Sequence, residues 1–211
     1  NYVKRIGLDT YRIQNRGGKG IKGMQTREED VVTKLFLSSN HSYLLYFTDM
    51  GRVYRTKTYN IPEAGRTAKG TPVVNIIEKS PEEKISEIIP VKEFSDNEYL
   101  VMVTKNGVIK KTPASEYESI RKSGKIAITL KEGDELISIF KTTGNDNIFL
   151  ATRNGMAICF NENDARAVGR TASGVKAIDL ADGDYVVGAE PVREDSKVLL
   201  VTDGGYGKCT D

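Results

Sequence analysis

The chain has 211 residues, of which 38% are hydrophobic and 28% are charged, a composition typical of a folded protein with a substantial core. Its 31 basic and 29 acidic side chains leave a net charge of only +2, so any interaction with nucleic acid must depend on where the charges lie. No apolar run approaches the roughly 20 residues of a membrane-spanning helix. Residues 1–5 contain neither an initiator methionine nor the apolar region of a signal peptide, and we expect the chain to be a fragment of a longer protein.

The first distinctive segment combines cations with closely spaced glycines. From Thr10 to Arg27 there are five basic residues and no acidic one. Paired glycines allow a tight turn, and peptide N–H groups beside cations can hold phosphate oxygens. A solvated hairpin turn is the alternative interpretation of this segment taken by itself. Its residues are Gln14, Asn15, Arg16, Gly17, Gly18, Lys19 and Gly20.

Weaker copies of this segment recur along the chain. Residues 64–70 and 168–174 keep the spacing from the arginine to the last glycine, and residues 121–125 form a looser copy. An apolar run of the β type follows each copy, for example at residues 71–77 and 126–130. The copies contribute the cations Arg66, Lys69, Arg121, Lys122 and Arg170.

A second pattern, Thr-x-x-Gly, follows an apolar strand-like run at four places. Its glycines are Gly51, Gly107, Gly155 and Gly205, at intervals of 56, 48 and 50 residues. A short strand pattern follows each glycine, and residues 2–5 fit the same place in an earlier repeat. A further apolar run closes each repeat, at residues 31–37, 85–91, 136–140 and 186–192.

Four short β segments in each period of about 50 residues are typical of a propeller blade. No segment has a sustained apolar period of 3.6 residues, so we expect at most single helical turns, near residues 116–119 and 163–165. The sequence therefore predicts an all-β, propeller-like fold with about four four-stranded blades and the start of a fifth. We expect one repeat domain over residues 1–211, with approximate repeats at residues 1–50, 51–106, 107–154 and 155–204 and a partial repeat at 205–211.

The charges within each repeat separate by sign. Basic residues lie on the glycine-containing loop and on the strand after Thr-x-x-Gly, whereas acidic residues cluster in the next turn, as at Glu82, Glu83 and residues 132–135. If an antiparallel strand carries the chain across the sheet between them, the acidic turns lie at the opposite end from the basic loops. The stacked repeats would then form a curved basic edge suited to the phosphates of duplex DNA.

Catalytic and metal-binding chemistry is not indicated by the residues. The one histidine, His41, lies in a polar turn without a recognisable partner. Residues 65–71 are followed by a strand pattern, whereas a phosphate-binding loop precedes a helix. Cys159 and Cys209 occupy equivalent positions of successive repeats, and we interpret them as reduced thiols of a cytoplasmic protein. We expect that this chain by itself is not a catalyst.

Residues 14–20 resemble the gyrase A box, the signature of a family of C-terminal domains found in the A subunit of bacterial DNA gyrase. The family pattern is Gln-Arg/Lys-Arg-Gly-Gly-Arg/Lys-Gly. Asn15 stands where the family has a cation, which removes one charge and keeps the other six positions. Residues 9–12, 51–55 and 153–158 are also similar to this family. The resemblance runs along the whole chain and implies a six-bladed β-pinwheel, of which these repeats would form about the first four blades.

This resemblance also implies a function and a set of site residues. The domain would wrap duplex DNA around its rim with positive handedness, so that a holoenzyme of two A and two B subunits introduces negative supercoils with ATP. ATP and Mg²⁺ would act elsewhere in the bacterial, nucleoid-associated holoenzyme. The breakage and reunion residues would lie in the N-terminal part of the A chain, so no cofactor is expected here. The residues implied in DNA binding are Gln14, Arg16, Gly17, Gly18, Lys19, Gly20, Arg66, Lys69, Arg121, Lys122 and Arg170.

Two alternatives to this function stay open. A C-terminal domain of the topoisomerase IV type would bind DNA but wrap it weakly, and the intact box favours the gyrase family over it. A propeller that serves as a scaffold for protein partners would need an apolar or aromatic cluster at one mouth, which the sequence does not indicate.

Overall fold

The structure, a computed structural model, describes residues 2–10, 16 and 31–210. This part of the chain contains fifteen β-strands, five short 3-10 helices and no α-helix. None of its helices is long and apolar enough to cross a membrane. The strands are β1 (Tyr2–Val3), β2 (Tyr43–Thr48), β3 (Arg52–Lys57), β4 (Thr71–Pro72), β5 (Ile85–Val91), β6 (Tyr99–Thr104), β7 (Val108–Pro113), β8 (Lys125–Ile126), β9 (Leu136–Thr142), β10 (Asn147–Thr152), β11 (Ala157–Asn161), β12 (Val175–Lys176), β13 (Val186–Pro191), β14 (Val198–Val201) and β15 (Gly207–Thr210).

Consecutive repeats exchange strands. Strand β2 pairs with β3 and β5, and the fourth strand of that sheet, β8, comes from the following repeat. In the same way β12 pairs with β7, and β4 pairs with β1. Backbone hydrogen bonds therefore tie each repeat to the one before it. In strand order the antiparallel sheets are β1-β4, β5-β2-β3-β8, β9-β6-β7-β12, β13-β10-β11 and β14-β15.

The apolar strands are buried on both faces because sheets pack against each other. Successive side chains of a strand point to opposite faces. In β6, Leu100 and Met102 join one apolar cluster, whereas Val101 and Val103 join the next. The side chains of β2 alternate between two clusters in the same manner. This packing explains why these strands appear in the sequence as continuous apolar runs.

The Thr-x-x-Gly pattern forms the turn between two paired strands. In the first copy the Gly51 N–H donates to the Thr48 carbonyl at 3.0 Å, and the Arg52 N–H faces the Thr48 hydroxyl at 3.3 Å. Gly51 has a φ of +73°, a left-handed conformation that glycine adopts without a steric cost. The other three turns repeat these two contacts, which explains why both the threonine and the glycine recur.

The all-β prediction is confirmed. Two of the five 3-10 helices, Ala114–Tyr117 and Glu162–Asp164, lie close to the predicted single turns, whereas the other three were not predicted. The predicted closing strand at residues 31–37 is wrong, because these residues have no regular secondary structure and most of their apolar side chains are exposed. The predicted run at 71–77 forms a strand only at Thr71–Pro72. It then turns into a 3-10 helix, which buries Val73 and Ile77 together in one cluster.

Candidate nucleic-acid interface

Three copies of the glycine-containing segment lie within the described residues. We call residues 65–70, 121–124 and 169–174 the glycine loops. Arg16 is exposed, and the structure describes no other residue of the box segment. The predicted residues that lie outside the description are Gln14, Gly17, Gly18, Lys19 and Gly20.

The glycine loops occupy equivalent positions on successive sheets. Each contains a turn closed by a backbone hydrogen bond, as between the Ala68 N–H and the Gly65 carbonyl at 3.0 Å. Each leads into a two-residue strand, β4, β8 or β12, that pairs with the first residues of β1, β3 or β7 of the preceding repeat. The same corner of three consecutive sheets therefore carries a glycine loop.

Neighbouring repeats also join their loop regions through direct contacts. The Thr129 hydroxyl, just after β8, donates to the Thr171 carbonyl at 2.7 Å, and its N–H donates to the Ala172 carbonyl at 3.3 Å. The Arg170 guanidinium donates to the carbonyl of Ile126 in β8. The loop at 169–174 thus lies directly beside the segment that follows the loop at 121–124.

The predicted cations on these loops differ in exposure. Arg121 and Lys122 are exposed, whereas Arg66, Lys69 and Arg170 are half-buried. The Lys69 ammonium lies 4.0 Å from the centroid of the Tyr2 ring, a cation–π contact that leaves its N–H donors available. One guanidinium has five N–H donors, so Arg170 can contact Ile126 and still bind an anion. We call these five residues the cationic track.

Arg52 is a nearby cation that the sequence analysis did not select. Its guanidinium donates to the Ser123 carbonyl at 2.9 Å and lies 3.7 Å from the Glu83 carboxylate, with 37% of the side chain exposed. In the sequence Arg52 belongs to the strand after Gly51, and its proximity to the loop at 121–124 follows only from the pairing of β3 with β8. No sequence signal indicated this exchange.

Two lysines that looked like surface cations lie beneath the glycine loops. Lys110 is 1% exposed, and its ammonium donates to the carbonyls of Ala127 and Arg170. Burial, with a smaller contribution from the nearby Arg170 charge, lowers the Lys110 pKa to about 7. Lys4 has the equivalent position under the first loop, and burial lowers its pKa too. These lysines contribute to the loop structure rather than to the exposed positive charge.

The predicted separation of acidic turns from glycine loops is wrong. The Asp134 carboxylate accepts from the Asn106 N–H at 2.9 Å, at the same end of the sheet where β12 follows its glycine loop. A cavity of about 300 Å³ is lined by both Asp134 and Gly174. The reason is that the strand between loop and acidic turn has only two residues, so the chain does not cross the sheet.

Glu83 belongs to one of the acidic turns in the sequence, but its side chain does not lie at the surface. The residue is 4% exposed, and its carboxylate accepts from the Tyr54 hydroxyl at 3.0 Å. With this hydrogen bond and the Arg52 contact, the buried Glu83 carboxylate has a structural role beneath the loop at 121–124.

Replacing Gly174 by alanine is expected to lower the free energy of unfolding by about 1–3 kcal/mol. Gly174 has a φ of +87°, and an added Cβ would lie 2.4 Å from the Ile109 carbonyl oxygen of β7. Chemical denaturation of the chain measures this loss. Gly169→Ala in the same loop is the matched control, because an added Cβ there has no neighbour within 4 Å. Equal losses in both variants would contradict the proposed close approach of loop and strand.

Comparison with known proteins places the chain in a family. The family model described as "DNA gyrase C-terminal domain, beta-propeller" matches residues 1–39, 42–92, 98–143 and 146–193. The A subunit of DNA gyrase from Staphylococcus epidermidis is 48% identical over 213 residues, an alignment that covers all of this chain and 24% of the relative. The chain thus spans about a quarter of the length of the curated relatives that it matches.

Solved structures agree with this family and its fold. The crystal structure of a C-terminal domain of DNA topoisomerase IV aligns with a TM-score of 0.84 and 30% identity, covering 99% of this chain and 64% of that one. The structure of a DNA gyrase A C-terminal domain aligns with a TM-score of 0.74 and 27% identity, covering 98% of this chain and 67% of that one. The chain belongs to the β-propeller family of DNA gyrase C-terminal domains.

Proposed function

We propose that this chain binds duplex DNA without regard to base sequence and wraps it with positive handedness, as the C-terminal domain of a DNA gyrase A chain. The observation that carries the proposal is the equivalent placement of three cationic glycine loops on successive sheets. The box residues Gln14–Gly20 would extend the cationic track by one loop, since they have the same spacing from arginine to glycine.

The physical argument depends on several loops acting together. Bending a site of 20–30 base pairs by 40–90° costs about 1–6 kcal/mol on elastic estimates. A hydrogen bond to a charged group contributes about 1.5–3 kcal/mol, so contacts at several loops can offset the bending cost where one cannot. Phosphate contacts from Lys and Arg carry no sequence information, and the described residues offer no α-helix that could enter the major groove.

The wider function follows from the family. The wrapped DNA would be presented to the N-terminal part of the gyrase A chain. Together with the gyrase B chains in an A2B2 assembly, the enzyme would introduce negative supercoils in the bacterial cytoplasm. We infer that this chain is the non-catalytic part, with strand cleavage, ATP and Mg²⁺ located elsewhere in the holoenzyme. These whole-enzyme activities concern about three quarters of the relatives' length, which lies outside the aligned region.

A weakly wrapping domain of the topoisomerase IV type is the second candidate. The similarity to a topoisomerase IV C-terminal domain, with its TM-score of 0.84, favours it. The box segment and the 48% identity to a gyrase A chain favour the first candidate. The two candidates share DNA binding and differ in how strongly they change DNA topology.

The test is to ligate nicked circular DNA in the presence of the chain and to measure its linking number on a gel. Positive wrapping is expected to raise the linking number, and added salt should remove the effect, because each neutralised phosphate contributes about −0.9 to the log–log slope of binding. Alanine at Arg66, Arg121 and Arg170 should reduce the shift together. Alanine at Lys92, which is exposed and follows the far end of β5, is the control.

The possible outcomes separate the candidates. DNA binding without a linking-number shift would favour the topoisomerase IV type. A chain that fails to bind duplex DNA at low salt would overturn both candidates.

A further inference from the structure

Lys4 and Lys110 occupy the same place in two repeats, just after the strand residues that pair with β4 and β12. The Lys4 ammonium donates to the carbonyls of Gly65, Arg66 and Ala68, at 3.2 Å and 2.9 Å for the first and last. The Lys110 ammonium donates to the carbonyl of Arg170. Arg66 and Arg170 are equivalent in the two glycine loops, so both lysines bind the same carbonyl of their loops.

The direction of one carbonyl fixes the direction of the next N–H. No described peptide bond is cis. In a trans peptide the carbonyl of one residue and the N–H of the next point in opposite directions. Because the Arg66 carbonyl points inward to Lys4, the Thr67 N–H points away from it, and the Thr171 N–H has the equivalent direction.

These two N–H groups are available to a ligand. Thr67 and Thr171 are both exposed. Neither N–H donates a hydrogen bond to another group among the described residues. Each follows directly on an arginine of the cationic track, so an anion could contact the N–H and the guanidinium together. This combination of peptide N–H and cation is chemically suited to a phosphate oxygen.

The middle loop is built differently. Tyr54 stands where the other repeats have Lys4 and Lys110, and its ring lies beneath Gly124, where an added Cβ would be 2.6 Å away. Arg66 and Arg170 lie four residues before the last glycine of their loops. The residue four positions before Gly124 is Ile120, which is buried. In two repeats the buried lysine therefore occurs together with an arginine four residues before the loop's last glycine. The loop at 121–124 has neither, and its cations are Arg121 and Lys122 instead.

We propose that Lys4 and Lys110 are positioning residues, each of which turns one peptide N–H of the next repeat's glycine loop outward to bind a phosphate oxygen. The phosphate sites are the Thr67 N–H with Arg66, and the Thr171 N–H with Arg170. This inference rests on the proposed DNA binding and adds which residues orient the loop N–H groups for phosphate. Lys110 is buried and touches no ligand itself.

The test uses ¹⁵N-labelled chain titrated with a short mixed-sequence DNA duplex, and in a second arm with inorganic phosphate. In the wild-type chain both the Thr67 and the Thr171 amide signals should shift as duplex is added. Lys4→Met should remove the Thr67 shift and keep that of Thr171, and Lys110→Met should do the reverse. Each variant thereby contains its own folded control, and each should bind DNA about two- to tenfold more weakly.

A second measurement separates positioning from charge. In Lys110→Met the dependence of binding on salt should keep its wild-type slope, since no surface cation is removed.

If wild-type chain binds duplex but neither amide shifts, or if both amides change equally in each variant, the inference is overturned while DNA binding stands. If phosphate shifts the amides and duplex does not, the sites bind free anions and the assignment to DNA is wrong. If duplex does not bind at all, the proposed function fails with it.

Discussion

Replacing Arg16 and Lys19 by alanine in the full-length gyrase A chain is expected to abolish negative supercoiling by the reconstituted enzyme and to leave ATP-independent relaxation intact. Two charged phosphate contacts at about 1.5–3 kcal/mol each amount to at least a hundredfold loss in wrapped DNA. Supercoiling needs the wrapped segment to set the direction of strand passage, whereas relaxation needs only cleavage and passage. Topoisomer gels with and without ATP measure the two activities.

The matched control replaces Lys92 and Lys141 by alanine. Both residues lie toward the ends of β5 and β9 that are far from the hairpin turns and glycine loops, so the net charge changes equally while the cationic track stays intact. This variant is expected to supercoil like the wild type. Full supercoiling by the box variant would remove the box from the mechanism, and equal loss in both variants would reduce its role to net charge.

The strand content and the repeat were predictable because they depend on local patterns. The hairpin from Tyr43 to Lys57 follows from an apolar run, a Thr-x-x-Gly turn and a second strand pattern. The exchange of β4, β8 and β12 between repeats was not predictable, because each strand has only two residues and its partner lies in the preceding repeat. A pattern of period two needs more residues than that to be recognised.

The position of the glycine loops was predictable from residue spacing, but the exposure of their neighbouring cations was not. Glycine and arginine spacing identified the three described loops, and their placement at one corner of successive sheets supports a shared role. No pattern in the residues distinguished exposed cations from buried ones, so Lys110 and Lys111 looked like part of the basic surface. Both are buried because strand exchange covers β7 with the next repeat.

Lys110 and Lys111 point to opposite faces of the strand and hold different parts of the next repeat. Lys110 supports the loop that carries Arg170, whereas the Lys111 ammonium lies 2.8 Å from the Glu162 carboxylate. The Lys111 carbonyl also accepts from the Val168 N–H at 2.9 Å, just before that loop. Adjacent lysines of one strand thus fix both the loop and the segment that leads to it.

The Glu162 carboxylate is buried with a full set of donors. Besides Lys111 it accepts from the Thr142 hydroxyl at 2.8 Å and from the N–H groups of Gly144 and Asp146 at 2.9 Å and 2.8 Å. Burial by itself would raise the Glu162 pKa, but the bonds from Lys111, Asp146 and Thr142 outweigh it and hold the pKa below its usual value. The Glu162 carboxyl therefore stays ionised in the folded chain at neutral pH.

Lys111→Met is expected to lower the free energy of unfolding by about 3–5 kcal/mol at pH 7, because it leaves the Glu162 carboxylate buried without its counter-charge. The wild-type contribution of Glu162 is present above the unfolded carboxyl pKa of about 4.3 and is lost as pH falls through the lower folded value. In Lys111→Met the loss of the ammonium raises the Glu162 pKa, so the stability deficit relative to wild type should shrink on acidification. Chemical denaturation from pH 7 down to about pH 2 measures both trends.

The double variant Lys111→Met with Glu162→Gln provides the decisive comparison. Glutamine keeps an oxygen for the Gly144 and Asp146 N–H groups and removes the buried charge, so the double variant should be more stable than the sum of the single losses predicts, by about 1–3 kcal/mol. Lys105 and Glu135 form an exposed pair 3.3 Å apart, and their cycle serves as the control with a coupling below about 1 kcal/mol. Additive losses at Lys111 and Glu162 would mean that there is no interaction energy between the two charges. The ion pair would then not stabilise the contact between these repeats.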